Sequence, residues 1–187
     1  MLNDKIALIT GSTKNNGYGM ATLFSRLGAD VFVNGPTEAE TLDAVDSLAR
    51  TVGTETKRRF YAAHADVSNE EEVVSMVASI RKRAGTLDIL VNNACNLGLG
   101  YRFLDTPAEF FDSVMAVNAR GYFLCAREAA RLMIETATPG AIVNIGSITA
   151  TRTMRDRLSY IASKGAVESM TRAMAVELAD VGIRVNA

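Results

Sequence analysis

Short apolar runs alternate with amphipathic stretches along this chain. Lys5–Thr10, Val31–Asn34, Lys57–Ala63, Leu87–Val91, Ala141–Ile145 and Ile183–Val185 read as six strands, the third less apolar than the rest. Between them apolar residues recur at helical spacing. Met20, Leu23, Phe24 and Leu27 form one stripe, which Gly28 is placed to end. Thr37 and Glu40 make a capping box for the next helix, whose stripe is Leu42, Val45, Leu48 and Val52 and whose stop is Gly53. Ser68 and Glu71 cap another, with Val73, Val74, Val77 and Ile80 inside and Arg81–Lys82–Arg83 at its dipole-matched end. Thr106, Pro107 and Glu109 open a long helix or helix pair running to about Thr136. A helix containing Tyr160 and Lys164 runs to about Asp180, stopped by Gly182.

Strands and helices thus alternate five times, the pattern of an α/β fold with a parallel sheet covered on both faces. No repeat, linker or low-complexity segment divides the sequence, so residues 1–187 read as one domain. In such sheets ligands bind beyond the carboxyl ends of the strands. Gly11, Gly35, Asp66, Asn92 and Ser147 all fall at such ends and converge on one rim.

Composition narrows the functions open to that rim. The net charge is -1 with both signs interspersed, which offers no electrostatic footprint for nucleic acid or an anionic membrane. No apolar run reaches the ~18 residues of a spanning helix, and the N-terminus lacks the layout of a signal peptide. Cys95 and Cys125 have neither metal-ligand spacing nor a disulfide framework, and His64 has no partner ligands. The expectation is a cytoplasmic protein with no metal.

The candidate chemistry lies in two stretches. In the first, GSTKNNGYG follows a strand and precedes a helix, the context of a dinucleotide phosphate loop. Gly11 can make the tight turn, Gly17 can let backbone approach a pyrophosphate, and Gly19 can let helix pack on strand. The helix N-terminus then offers free N–H groups and a positive dipole end. In the second, Ser147 closes a strand, Tyr160 follows thirteen residues later, and Lys164 stands one helical turn beyond. A Tyr hydroxyl ordinarily ionises near pH ~10, and an adjacent ammonium lowers that value. A hydroxyl at Ser147 can donate to a substrate carbonyl while Tyr160 moves the proton.

Thr10-Gly11…Gly17-x-Gly19, Asp66-Val67, Asn92-Asn93-Ala94, Asn118 in VMAVNARGYF, Ser147 and Tyr160-x-x-x-Lys164 together resemble the short-chain dehydrogenase/reductase family, in its order and from end to end. The resemblance implies a doubly wound, Rossmann-like sheet of about six strands in the order 3-2-1-4-5-6. It implies an NAD(P) cofactor and a small carbonyl or alcohol substrate. Tyr160 resembles the general acid or base, and Lys164 the residue that holds the nicotinamide ribose. Ser147 resembles the carbonyl-polarising residue, and Asn118 the one that positions a water in the relay to Lys164. Asp66 and Val67 are similar to the residues at the adenine edge, and Asn92 and Ala94 to those lining the cofactor cleft. The resemblance further implies a homodimer or homotetramer packed through the two long helices, with Leu124, Ala129, Ala166 and Met170 on that face.

Three departures qualify it. Five residues separate Gly11 from Gly17 where the family has three, a longer loop that resembles divergent enoyl reductases; the three-residue gap between Tyr160 and Lys164, with Ser147, argues for carbonyl or alcohol chemistry instead. At the end of the second strand, where an acidic residue would bind a ribose 2′-OH, stand Gly35 and Pro36. Lys14 in the phosphate loop could meet a 2′-phosphate and tips the reading toward NADP; a solvated loop cation is its other reading. Finally, the family pattern continues past IRVNA into a Pro-Gly turn, a substrate-covering segment and a seventh strand, whereas the sequence ends at Ala187. The expectation is an edge strand there and an incomplete substrate wall, with a non-catalytic dinucleotide-binding or oligomerisation module as the alternative to an enzyme. Arg152, Arg155 and Arg157, between Ser147 and Tyr160, could favour an acidic substrate or be a solvated loop, and Tyr101 and Phe103 are apolar candidates for the pocket.

Overall fold

The computed structural model describes residues Met1–Ala187. Six parallel strands form one sheet in the order β3-β2-β1-β4-β5-β6. They are β1 Ile6–Ile9, β2 Asp30–Val33, β3 Phe60–Ala62, β4 Ile89–Asn92, β5 Ala141–Asn144 and β6 Arg184–Asn186. The strand alternation of side chains sorts the core. Leu8, Phe32, Leu90 and Ile142 face one side of the sheet, while Ile9, Val31, Val33 and Val91 face the other. Helices α1 (Asn15–Arg26) and α2 (Glu38–Leu48) cover the second side. Helices α4 (Glu70–Ala84) and α6 (Gly121–Glu135) cover the first, and the end of α7 (Leu158–Glu177) packs against the same core. Each fully buried Val, Leu or Ile contributes ~1.5–3 kcal/mol, so this two-sided core fixes strand order and register firmly enough to carry a site on its rim.

Several local expectations are corrected. Leu23, Leu42 and Val74 are exposed; the faces that meet the sheet use the small residues Gly17, Ala21 and Ser25 in α1 and Thr41, Ala44 and Leu48 in α2, because a flat sheet admits a helix most closely over small side chains. Gly53 does not stop the second helix. A π turn at Ala49–Gly53 carries the chain into a last turn, α3 (Thr54–Thr56), and Lys57 ends it in the left-handed conformation at φ 60. Thr37 does cap α2, accepting the Glu40 N–H. At α4 the cap is Asn69, whose Oδ1 accepts the N–H groups of Glu71 and Glu72; Ser68 is taken by Asp66 instead. Thr106 is no cap either, since its hydroxyl donates to the Arg102 carbonyl. The long helix is α5 (Ala108–Met115) joined to α6 through a π turn at Ala116–Arg120. Leu124 and Ala129 are buried against the sheet, so they are core residues and not subunit contacts.

Candidate active site

A cleft of about 720 Å³ opens at the carboxyl ends of β1 to β4. Its floor is made of backbone tied by buried polar side chains. Thr10 Oγ1 accepts the N–H groups of Asn93 at 2.9 Å and Ala94 at 3.0 Å, pinning the end of β1 to the end of β4. Asn34 does the same toward β2 and β3. Its Oδ1 accepts the Gly11 N–H at 3.0 Å, and its Nδ2 donates to the carbonyls of Ala63 at 2.9 Å and Ala65 at 3.1 Å. Asn93 Nδ2 closes the ring by donating to the Thr10 and Gly11 carbonyls. The sequence reading assigned roles to none of these three side chains. The signal was present as polar residues ending runs of buried strand, where a side chain must find partners.

The glycines of the phosphate loop divide. Gly11 is left-handed at φ +60, and a Cβ there would lie 2.7 Å from the Ala94 Cα. A Cβ on Gly17 would lie 2.3 Å from the Gly11 carbonyl oxygen. Both positions are closed to any other residue, and both line the cleft. Gly19 has nothing within 4 Å of a would-be Cβ and is exposed, so it is not where helix packs on strand; Gly17 and Ala21 serve there. Lys14, at the N-cap of α1, gives no side-chain cap. The first-turn N–H groups of Asn15, Asn16 and Gly17 therefore border the cleft uncapped by a side chain, at the positive end of a three-turn helix. A long cleft with a glycine-lined turn and that helix end fits a dinucleotide, with Lys14, Asp66, Val67 and Ala94 along its walls.

Asn92 does not line this cleft. It is fully buried below the rim, its Nδ2 donating to the Tyr122 carbonyl at 3.2 Å and to Asn144 Oδ1 at 2.9 Å, while its own Oδ1 has no partner. Its neighbours Asn93 and Ala94 take the lining role. Asp66 spends one carboxylate oxygen on the N–H and hydroxyl of Ser68, and its own N–H donates to Glu72. A Cβ on Gly35 would lie 2.5 Å from Thr13 Cγ2 and 2.9 Å from Thr41 Oγ1, so a side chain there would have to displace those two threonines. Lys14 pairs with Glu40 at 3.7 Å across the cleft mouth, both exposed.

The second bank of the site is a web of buried side chains. Lys164 is 1% exposed. Its ammonium donates to the Ile145 carbonyl at 2.6 Å and to the Tyr122 hydroxyl at 3.2 Å, and no carboxylate meets it. Burial holds its pKa below the ordinary lysine value. Burial pushes Tyr122 upward, so Tyr122 stays a neutral phenol. The Lys164 nitrogen lies 5.8 Å from the centre of the Tyr160 ring. Tyr160 is half-buried on the first turn of α7, its carbonyl accepting from Ser163. Ser147 ends the loop after β5, where its Oγ accepts the Thr149 N–H at 3.2 Å and shares a hydrogen bond with the Thr149 hydroxyl. Asn118, fully buried in the π turn, grips the Asn96 backbone from both sides. Its Oδ1 accepts the Asn96 N–H at 2.7 Å, and its Nδ2 donates to the Asn96 carbonyl at 2.8 Å and to Ser163 Oγ at 3.0 Å. Its amide therefore ties the loop after β4 to α7. Cys95 lines the cleft with its side chain exposed.

Known proteins resemble this chain along its whole length. Residues 11–187 match the family described as enoyl-(acyl carrier protein) reductase. The chain is 35% identical over 185 residues to the uncharacterized oxidoreductase YxbG of Bacillus subtilis, covering 99% of this chain and 65% of that protein. It is 37% identical over 186 residues to 2-(R)-hydroxypropyl-CoM dehydrogenase of Xanthobacter autotrophicus, covering 98% and 72%. It is 34% identical over 186 residues to NAD-dependent glycerol dehydrogenase of Listeria innocua, covering 100% and 69%. The structure of NAD+-bound xylitol dehydrogenase superposes with a TM-score of 0.92 at 30% identity, covering all of this chain and 69% of that one. The chain thus spans about two thirds of the length of these relatives, and under two thirds of YxbG. No helix is long and apolar enough to cross a membrane.

Proposed function

The chain belongs to the short-chain dehydrogenase/reductase family, and from that premise we propose that it is an NAD(P)-dependent oxidoreductase acting on a ketone or secondary alcohol. The observation that carries the proposal is the buried, carboxylate-free Lys164 beside Tyr160, next to a cleft that fits a dinucleotide. A bound nicotinamide supplies or accepts the hydride. The chain's own residues do the rest. Tyr160 gives a proton to the substrate oxygen in reduction and takes it in oxidation. The Lys164 charge steadies the negative charge that develops on the Tyr160 oxygen as the proton moves. Ser147 donates to the substrate oxygen and orients it. Asn118 acts as a positioning residue, setting the distance between the loop after β4 and α7. All 187 residues form one dinucleotide-binding and catalytic domain in this reading, which includes a homodimer or homotetramer as its assembled state.

NADP is the preferred form in this proposal, because Gly35 and Pro36 place no acid at the end of β2 and Lys14 stands at the cleft. Glu40 tempers the preference by holding Lys14. Reduction of a C=C bond, which the matched family's description raises, is the second reading; Ser147 and the spacing of Tyr160 and Lys164 support C=O chemistry over it. The test is a titration of the purified chain with NADPH and NADH by nicotinamide fluorescence, followed by turnover of simple ketones. Binding is expected for both, tighter for NADPH. Tyr160→Phe should retain binding and lower kcat by ~10²–10⁴. A folded chain that binds neither nucleotide overturns the proposal.

A further inference from the structure

Tyr122 is the second residue of α6, directly after the π turn that carries Asn118. The sequence reading gave it no role. Its backbone is set close to the cleft. A Cβ on Gly121 would lie 2.9 Å from Val67 Cγ2 and 3.1 Å from the Val67 carbonyl oxygen, so the start of α6 rests on the cleft wall. The Tyr122 carbonyl accepts from Asn92 Nδ2 at 3.2 Å. Its side chain is almost wholly buried, and a buried phenol needs a partner for its hydroxyl. That partner is the Lys164 ammonium, which donates to the Tyr122 oxygen at 3.2 Å and to the Ile145 carbonyl at 2.6 Å. The Tyr122 hydroxyl is in turn directed at the Ile145 carbonyl, 3.5 Å away, so the three groups form a closed ring.

Both acceptors are neutral, and that matters for the charge they hold. A carboxylate would also fix the ammonium, but it would cancel much of the positive field that steadies Tyr160 as its proton moves. An ammonium carries three N–H donors. Two are committed to Tyr122 and Ile145, and one is left for the side of Tyr160, whose ring centre lies 5.8 Å from the nitrogen. Tyr122 does not turn into a counter-ion, because burial above all, with Cys95 and Tyr160 nearby, disfavours its phenolate. The other titratable groups facing Lys164 are Tyr160 on α7 and the Cys95 thiol after β4, and neither is hydrogen-bonded to it.

The geometry points to Tyr122 as a positioning residue for the reaction: its hydroxyl oxygen, together with the Ile145 carbonyl, holds the Lys164 ammonium beside Tyr160 without neutralising it. This rests on the oxidoreductase reading above. The test is Tyr122→Phe, which keeps the buried ring and removes only the acceptor. NMR of the nucleotide-free, lysine-labelled protein follows the Lys164 side chain through a pH titration, its signal identified by its loss in Lys164→Met. A hydrogen bond to a charged form favours that form, so its removal should lower the Lys164 midpoint by about one pH unit. With less positive charge beside Tyr160, the pH midpoint of kcat/KM for alcohol oxidation should move up by about one unit, roughly a tenfold loss on the rising limb that closes at the plateau. A tyrosine that merely fills the core would move neither midpoint when its hydroxyl is removed. An unchanged Lys164 midpoint in the folded variant therefore overturns the assignment, whatever the activity. A lowered Lys164 midpoint with an unmoved kinetic profile overturns the role in the reaction. A lowered midpoint in a chain that binds neither dinucleotide leaves Tyr122 holding Lys164 and overturns the oxidoreductase reading instead.

Discussion

The two banks of the cleft are built by opposite means. The nucleotide bank, at the ends of β1 to β3, is backbone held close: Gly11 and Gly17 have no room for a Cβ, and Asn34 spends its amide on main-chain groups. The catalytic bank, at the ends of β4 and β5 and on α7, is a side-chain web in which Lys164, Tyr122, Asn118 and Ser163 satisfy one another and nearby carbonyls. A backbone cradle suits a ligand of fixed shape, since main-chain N–H groups cannot be mutated away and only steric intrusion spoils them. A side-chain web places one charge at one point, and it depends on each member being satisfied. The first bank should therefore fail by overpacking and the second by losing a partner.

The largest effect is expected where overpacking has no escape. In Gly17→Ala the new methyl would sit 2.3 Å from the Gly11 carbonyl oxygen and 2.7 Å from the Ser12 Cα, both backbone atoms. The loop must shift, at a cost of about 3 kcal/mol, and nucleotide affinity should be lost with it. Gly19→Ala, two residues along the same helix with open space around it, should leave stability unchanged or raise it by up to ~1 kcal/mol. Chemical denaturation of both variants measures the contrast; similar losses at the two positions would erase it.

The catalytic bank offers the next test. Asn118→Ala strips partners from the Asn96 N–H and carbonyl and from Ser163 Oγ at once. A loss of about 2 kcal/mol follows from such orphaned groups. Hydrogen exchange at the Asn96 amide should accelerate by at least tenfold. Retained protection there would show that the loop after β4 is held by something other than the Asn118 amide.

The unequal legibility of the two banks has the same origin. Glycine at a strand end is a statement about backbone, and Gly11 and Gly17 could be read directly. The place of Gly19 is not legible, because spacing does not say which face of α1 meets the sheet; the face is set by Ala21 and Ser25 packing on it. Six strands emerged from their apolar runs, since burial on both faces forces continuous hydrophobicity. Helix ends were less legible. Ser68 and Asn69 are both cap formers, and only the competing carboxylate of Asp66 decides between them. The π turns at Ala49–Gly53 and Ala116–Arg120 leave no mark in periodicity. Asn92 and Asn93 are adjacent and identical in type, and the strand's alternation sends one into the core and the other to the cleft.

The smallest expected effect has the opposite sign. Lys164 is a buried cation without a carboxylate, so keeping it charged costs stability. Its folded-state pKa lies below the unfolded value near 10.5 because desolvation disfavours the charged form. The penalty is therefore fully present below the folded pKa and is relieved as pH rises from that value toward and past the unfolded one. Lys164→Met removes it. The Ile145 carbonyl loses its donor, but the Tyr122 hydroxyl already points at it from 3.5 Å and can take over. The variant should be inactive yet more stable than the parent by about 1 kcal/mol at neutral pH, or about 2–4 °C in Tm. Its advantage should shrink through the alkaline window. Urea unfolding of both proteins between neutral pH and pH ~10.5 measures this. An advantage that stays constant across that window, or a variant less stable at pH 7, would mean that the Ile145 and Tyr122 bonds already offset the buried charge.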